Sequence, residues 1–176
     1  EIKAWSGPFI MATANTRVVR RSEALLALRQ ESYGSNFTYQ EHAYHKSWLS
    51  AVSSLLLTGL SVLVLLSPLK RLVKPFLPKP GEGPSEAVQE NGWFDCKFIA
   101  ESEDGTKSVF NMHGKGDPGY KVTSKLVSEC ALCLIEDIEE LPGGRGYGGV
   151  LTSASGLGHS LISRLTKAGI DFKGPL

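Results

Sequence analysis

Three arginines stand close together in the string NTRVVRRS, at Arg17, Arg20 and Arg21. On a helix, spacings of three and four put them on one flank. There their planar guanidinium groups can grip a carboxylate or phosphate through forked hydrogen bonds. A solvated or ion-paired flank is the competing assignment. A second polar cluster is Gly116-Asp117-Pro118-Gly119-Tyr120. Asp117 is a capping residue type, Pro118 suits the first turn of a helix, and the glycines admit another backbone segment. Free N–H groups at such a helix start can hold an anion, and plain capping is the alternative.

Other groupings fail on their context. Gly144-Arg145-Gly146-Tyr147-Gly148-Gly149 matches G-x-G-x-x-G, the turn that lets backbone approach a pyrophosphate. That fingerprint needs a strand before it and a helix directly after it. Here a Glu-rich helix end and Pro142 precede it, and extended-looking Val150-Leu151 follows. Cys130 and Cys133 have redox-pair spacing, but they fall inside a helical pattern, where no helix N-terminus stabilises a thiolate. They read as two small buried side chains. No second cysteine pair completes a zinc site, and His42, His45, His113 and His159 lack ligand spacing, so no metal is expected. No Ser-His-Asp or Cys-His arrangement is legible. Asn36-Phe37-Thr38 is a glycosylation sequon that stays unmodified in a reducing compartment.

The elements that would position these residues follow from periodicity. Met11, Ala14, Val18, Leu25 and Leu28 recur at helical spacing. Phe37 to Tyr44 alternates as a strand does. Trp93 to Ala100 and Lys107 to Met112 flank Asp104-Gly105, a hairpin signal. Tyr120 to Ile138 predicts an amphipathic helix packed on that hairpin, with Val122, Leu126, Val127, Cys130, Cys133 and Leu134 inward and Lys121, Lys125, Ser128 and Glu129 mostly opposite. A glycine-rich loop then leads to a last helix from about Gly158 to Lys167 and a short strand at Ile170 to Phe172.

Ser47 to Leu69 carries no charge, follows Lys46 and ends at Lys70 and Arg71. As a helix it would run roughly 35 Å, against about 30 Å for a bilayer core. Ser47, Ser50, Ser54, Thr58 and Ser61 form a hydroxyl stripe, and Leu49, Val52, Leu56, Leu60 and Leu63 an oily one. The oily side suits lipid, and the hydroxyl side suits a neighbouring helix or the chain's own domain. Beyond it Leu69, Leu72, Val73 and Phe76 oppose Lys70, Arg71 and Lys74 on a short interfacial helix. The membrane-contacting residues expected are Trp48, Leu56, Leu60, Leu63, Lys70, Arg71 and Lys74. A buried central helix of a large enzyme is the rival assignment. After the run, a Pro-, Gly- and Lys-rich stretch to Glu86 reads as a linker.

With 176 residues, 41% of them hydrophobic, the chain can fill one core and is not a disordered protein. Nineteen cations nearly balance 18 carboxylates, so nucleic acid is not an expected partner. The cations gather near the oily run: ten basic against seven acidic residues up to Glu90, nine against eleven after it. Three cysteines cannot all pair, and no short apolar leader opens the sequence, which together point to a reducing compartment. Glu1 in place of Met suggests a processed chain or the C-terminal piece of a longer one.

The strings GPFIMATANTRVVRRSEALL, LPKPGEGPSE, GWFDCKF, GDPGYKVTSKLVSECAL and GGVLTSASGLGHSLISRLTKAGIDF, in that order, resemble the C-terminal part of the saccharopine dehydrogenase-like oxidoreductases. This group includes bacterial trans-acting enoyl reductases and eukaryotic lipid-droplet proteins. The resemblance implies an α+β fold, an antiparallel sheet with packed helices plus one long apolar helix, forming the C-terminal domain of a two-domain Rossmann-type enzyme. On that reading residues 1–46 and 80–176 make up the domain, and 47–79 are the apolar helix and basic linker. NAD(P) would be bound by a Rossmann domain missing from this chain, which alone would be inactive. Arg17, Arg20, Asp117 and Tyr120 would be the substrate-binding candidates, and the catalytic residues are not assigned. The expected setting is the cytoplasmic face of a lipid droplet or the endoplasmic reticulum, with the absent domain, the lipid surface and a second copy of the chain as partners. A non-catalytic membrane scaffold with a degenerate oxidoreductase fold is the alternative.

Overall fold

Asp104 and Gly105 dictate the clearest element. In the computed structural model, which describes residues 4–79 and 81–175, they close a hairpin between β3 (Trp93–Glu101) and β4 (Lys107–Lys115). The Gly105 N–H donates to the Ser102 carbonyl at 2.9 Å, and Gly105 sits at φ +84°, where only glycine is unstrained. The chain divides into two compact units, Glu1–Pro80 and Gly81–Leu176.

In the first unit, β1 (Trp5–Pro8) pairs antiparallel with β2 (His42–His45), and helix α1 (Ala12–Ala27) lies between them in sequence. The helix is continuous through Asn15-Thr16. The alternation expected from Phe37 becomes strand only at His42. Its partner offers four residues and ends in Pro8, which has no N–H to extend the ladder. Helix α2 (Trp48–Leu66) starts where the sequence changes character: Ser47 is the N-cap and its hydroxyl accepts from the Ser50 N–H at 3.2 Å. Nineteen residues give a rod of about 28 Å, shorter than the full uncharged run because Ser67-Pro68 stops it. Helix α3 (Lys70–Val73) and a 3-10 turn (Lys74–Phe76) follow. Among the described residues of this unit only Ser22 and Leu26 are buried.

The second unit holds the core. Helix α4 (Glu86–Asn91), capped by Ser85, leads into the hairpin. Helix α5 (Lys121–Glu136) and helix α6 (Ser153–Lys167) pack on one another, and β5 (Ile170–Lys173) adds to β4, giving the order β3-β4-β5. Val122, Cys133, Leu157, Leu161, Leu165 and Ile170 are buried together, with Phe94, Met112 and Phe172 of the sheet against them. Two sequence expectations change here. Val127 and Leu134 point to solvent, while Glu129, expected outside, is half-buried beside Arg164. The last helix begins five residues before Gly158, at Ser153, because Thr152 and Ser155 form a reciprocal cap. Gly158 instead marks a kink. The α+β class with antiparallel pairing and packed helices is as expected, with two small sheets in place of one.

Candidate functional site

Arg17 and Arg20 lie one turn apart on α1, both exposed, with no ion pair among the described residues. Arg20 borders an open cleft of about 380 Å³ with Glu23, Phe37, Thr38, Tyr39 and Gln40. Arg17 is not among its lining residues. Glu23 is not free to neutralise Arg20: its carboxylate accepts from the Ser32 hydroxyl and, at 2.9 Å, from the Tyr33 N–H. These bonds fold residues 31–33 back along α1. Tyr33 stacks at a tilt on Phe37, with ring centroids 5.0 Å apart. Burial, and then the Glu23 charge, push the Tyr33 phenol above its usual pKa, so it stays a neutral donor. The cleft therefore presents one guanidinium, the hydrogen-bonded carboxylate of Glu23, an aromatic wall and amide and hydroxyl groups from 38–40. Among the described residues lining it, Arg20 is the one cation that can meet an acidic group.

Asp117 and Tyr120 belong to the second unit and touch each other. The Asp117 carboxylate accepts from the Tyr120 N–H at 2.7 Å, and its carbonyl accepts from Val122 at 2.9 Å. This is capping work at the start of α5. The glycines are needed for backbone approach: a Cβ on Gly92 would fall 2.6 Å from the Asp117 nitrogen. The Gly116 and Asp117 N–H groups donate to the Gly92 and Gln89 carbonyls at 2.7 and 2.8 Å. Those N–H groups are thus consumed by α4 and are not open to an anion. Tyr120, exposed, borders a cleft of about 620 Å³ with Glu86, Gln89, Glu90, Lys121 and Ser124. Lys121 is paired with Glu90. The four candidates therefore fall into two pairs, one in each unit.

One cluster escaped sequence reading. Arg164 of α6 is paired with Glu136 and Asp137 and stands 3.7 Å from Glu129. Its hydrogen bonds hold the Asp137 carboxyl below the usual range. Lys125 also donates to the Ala168 carbonyl at 2.7 Å. These contacts lock α5 to α6. They were invisible because the partners lie 27 to 43 positions apart in sequence, and no local spacing brings them together. Cys133 is buried in the same seam, and burial first, then its bond to Asp137, push its thiol up to about 11. It is protonated at neutral pH and inert, as its helical position implied. Among the described residues no group of His, Cys, Asp and Glu could hold a metal.

The Gly144–Gly149 loop does not fit a dinucleotide. Turns and α5 precede it, a 3-10 turn occupies Gly144–Gly146, and α6 starts only at Ser153. No strand aims it at a pyrophosphate.

The apolar helix is bare. α2 is long and apolar enough to cross a membrane, and none of its apolar window is buried. Leu56, Leu60 and Leu63 are 58 to 67% exposed, and Trp48 is exposed at its start. Ala51 and Ser54 are half-buried on the side toward the β1–β2 ribbon, so part of the hydroxyl stripe is the side that packs. Ser53, Ser61 and Ser67 hydroxyls donate back to the Ser50, Leu57 and Val64 carbonyls at 3.1, 2.7 and 2.9 Å. A hydroxyl satisfied this way can enter an apolar phase at low cost.

The chain is 34% identical over 174 residues to the trans-acting enoyl reductase of Mycobacterium leprae and 33% identical to that of Mycobacterium bovis, each alignment covering 94% of this chain. A Mycobacterium tuberculosis protein assigned provisionally to the same enzymes is 39% identical over 178 residues, 96% of this chain. The chain spans about 40% of the length of these curated relatives. No family model and no solved structure matches it.

Proposed function

We propose that this chain is the substrate-side, membrane-contacting part of a nicotinamide-dependent oxidoreductase of the saccharopine dehydrogenase-like type, acting on a lipid-like substrate. The observation that carries this reading is the match to relatives named trans-acting enoyl reductases along nearly the whole chain. Those names describe reduction of a carbon–carbon double bond next to a carbonyl. The Gly144–Gly149 loop does not fit the nucleotide, and the chain spans about 40% of its relatives' length, so in this reading a further domain holds the nucleotide and this chain contributes recognition. Arg20, with Arg17 one turn away, takes the acidic end of the substrate, and Phe37 and Tyr39 line the approach. The bare α2 rod keeps the site at a lipid surface, where an oily substrate is concentrated. A lipid droplet or the endoplasmic reticulum, on the cytoplasmic face, supplies such a surface.

The test uses the full-length protein and an enoyl thioester with NADPH. Turnover is expected, and Arg17→Gln with Arg20→Gln should lower kcat/KM at least tenfold, in line with the loss of charged hydrogen bonds worth about 1.5–3 kcal/mol each. The urea unfolding midpoint should not move. Normal turnover in that variant removes the arginines from the site. Absence of both NADPH binding and turnover in the wild type establishes the scaffold alternative instead.

A further inference from the structure

We infer that the segment following α2, Leu69 to Lys74 with Phe76, is a docking collar for the headgroups of anionic phospholipids. This deepens the membrane reading above and rests on it. The first observation is a gap in the sequence: no carboxylate occurs between Glu41 and Glu82, while Lys46, Lys70, Arg71, Lys74 and Lys79 all fall within it. Three of those cations stand within the first two turns after the rod. The second is geometric. In α3 and the 3-10 turn, Leu69, Leu72 and Phe76 gather on one side and are 53, 70 and 86% exposed. Lys70, Arg71 and Lys74 occupy the other side, exposed and with no ion pair among the described residues.

A free cationic face with no acid to neutralise it, backed by an oily face with no core to fill, is satisfied together only at an interface. There apolar side chains enter the acyl layer while ammonium and guanidinium groups meet phosphate. A neutral surface would use the oily side and leave the charges idle, whereas a soluble anion would use the charges and leave Phe76 and Leu72 in water. Pro68 ends α2 and Pro75 shortens the following turn, so the segment breaks away from the rod instead of prolonging it.

The experiment is flotation of the full chain with vesicles at limiting lipid. One set is pure phosphatidylcholine and the other contains about 30 mol% phosphatidylserine. With the anionic lipid, the lipid concentration for half-binding should fall about 100-fold, from roughly tenfold or less per cation. The gain should largely disappear at about 0.5 M salt, where screening is short-ranged, and in Lys70→Gln/Arg71→Gln/Lys74→Gln. Equal binding to both vesicles, or a gain that neither salt nor the triple variant removes, overturns the headgroup assignment and leaves membrane contact standing. Failure to bind either vesicle overturns both. The salt arm needs no variant, so a folding defect in the triple substitution cannot mask the result.

Discussion

Helices α2 and α6 are of similar length and both are leucine-rich, yet they do opposite things with their leucines. On α6, Leu157, Leu161 and Leu165 are all buried, and Arg164 on the rim is held by carboxylates of α5. On α2 no residue is buried, and no charge marks a solvent side. The same contrast holds for the units that contain them. Residues 81–176 close a core around Val122, Cys133 and Ile170, whereas the first unit buries only Ser22 and Leu26 among its described residues. A soluble helix shows which side is wet by its charges. A rod that carries no charge on any side and leaves its leucines bare is the feature on which the proposed lipid contact rests.

Breaking that contrast should be easiest on α2. Leu56→Lys with Leu63→Lys puts one ammonium group at mid-rod and one in the last turn, a cost of at most about 7 kcal/mol in a bilayer. The full protein should then leave the membrane fraction in a flotation assay while keeping its circular dichroism spectrum. Retention in that fraction would place α2 in the same class as α6. The contrast sharpens with a matched pair of alanines measured by urea unfolding without lipid. Leu161→Ala opens a cavity in the core and should lower stability by about 2 to 5 kcal/mol. Leu60→Ala removes an exposed side chain and should stay within about 0.5 kcal/mol.

A smaller effect concerns the lock between α5 and α6. Arg164 holds the Asp137 carboxyl below its unfolded value, so the stabilisation is complete above about pH 4 and is lost as pH falls through the lowered folded value. The urea midpoint should therefore drop as the pH falls below about 4, and less steeply in Arg164→Met. Equal slopes would remove the pair from the stability of the second unit.

Local signals in the sequence located most elements. Asp104-Gly105 fixed the hairpin, the uncharged run after Lys46 located the rod though not its end at Leu66, and Asp117-Pro118 announced α5, because each acts within a few residues of itself. The inner face of α5 was harder. Its charges, Lys121, Lys125, Glu129 and Glu136, occupy one arc, and apolar residues flank that arc on both sides. Helical periodicity cannot choose between the flanks, and Arg164, 35 positions away, is what draws Glu129 inward. The polar candidates were legible only as types. That Asp117 is occupied in capping, that Glu23 is occupied by residues 32 and 33, and that Arg20 alone of the arginine pair reaches a cleft are tertiary facts.

Lipid surrounding α2 is the central proposal. The most direct measurement is the collision accessibility of a spin label at Leu60→Cys, in a background where the other accessible cysteines, Cys96 and Cys130 among them, are replaced by Ser, with the full-length protein in bilayers. Molecular oxygen should relax the label strongly and a water-soluble nickel chelate hardly at all, the pattern of an acyl-chain environment. Strong relaxation by nickel, which places residue 60 in water, or weak relaxation by both, which places it inside protein, would contradict the account.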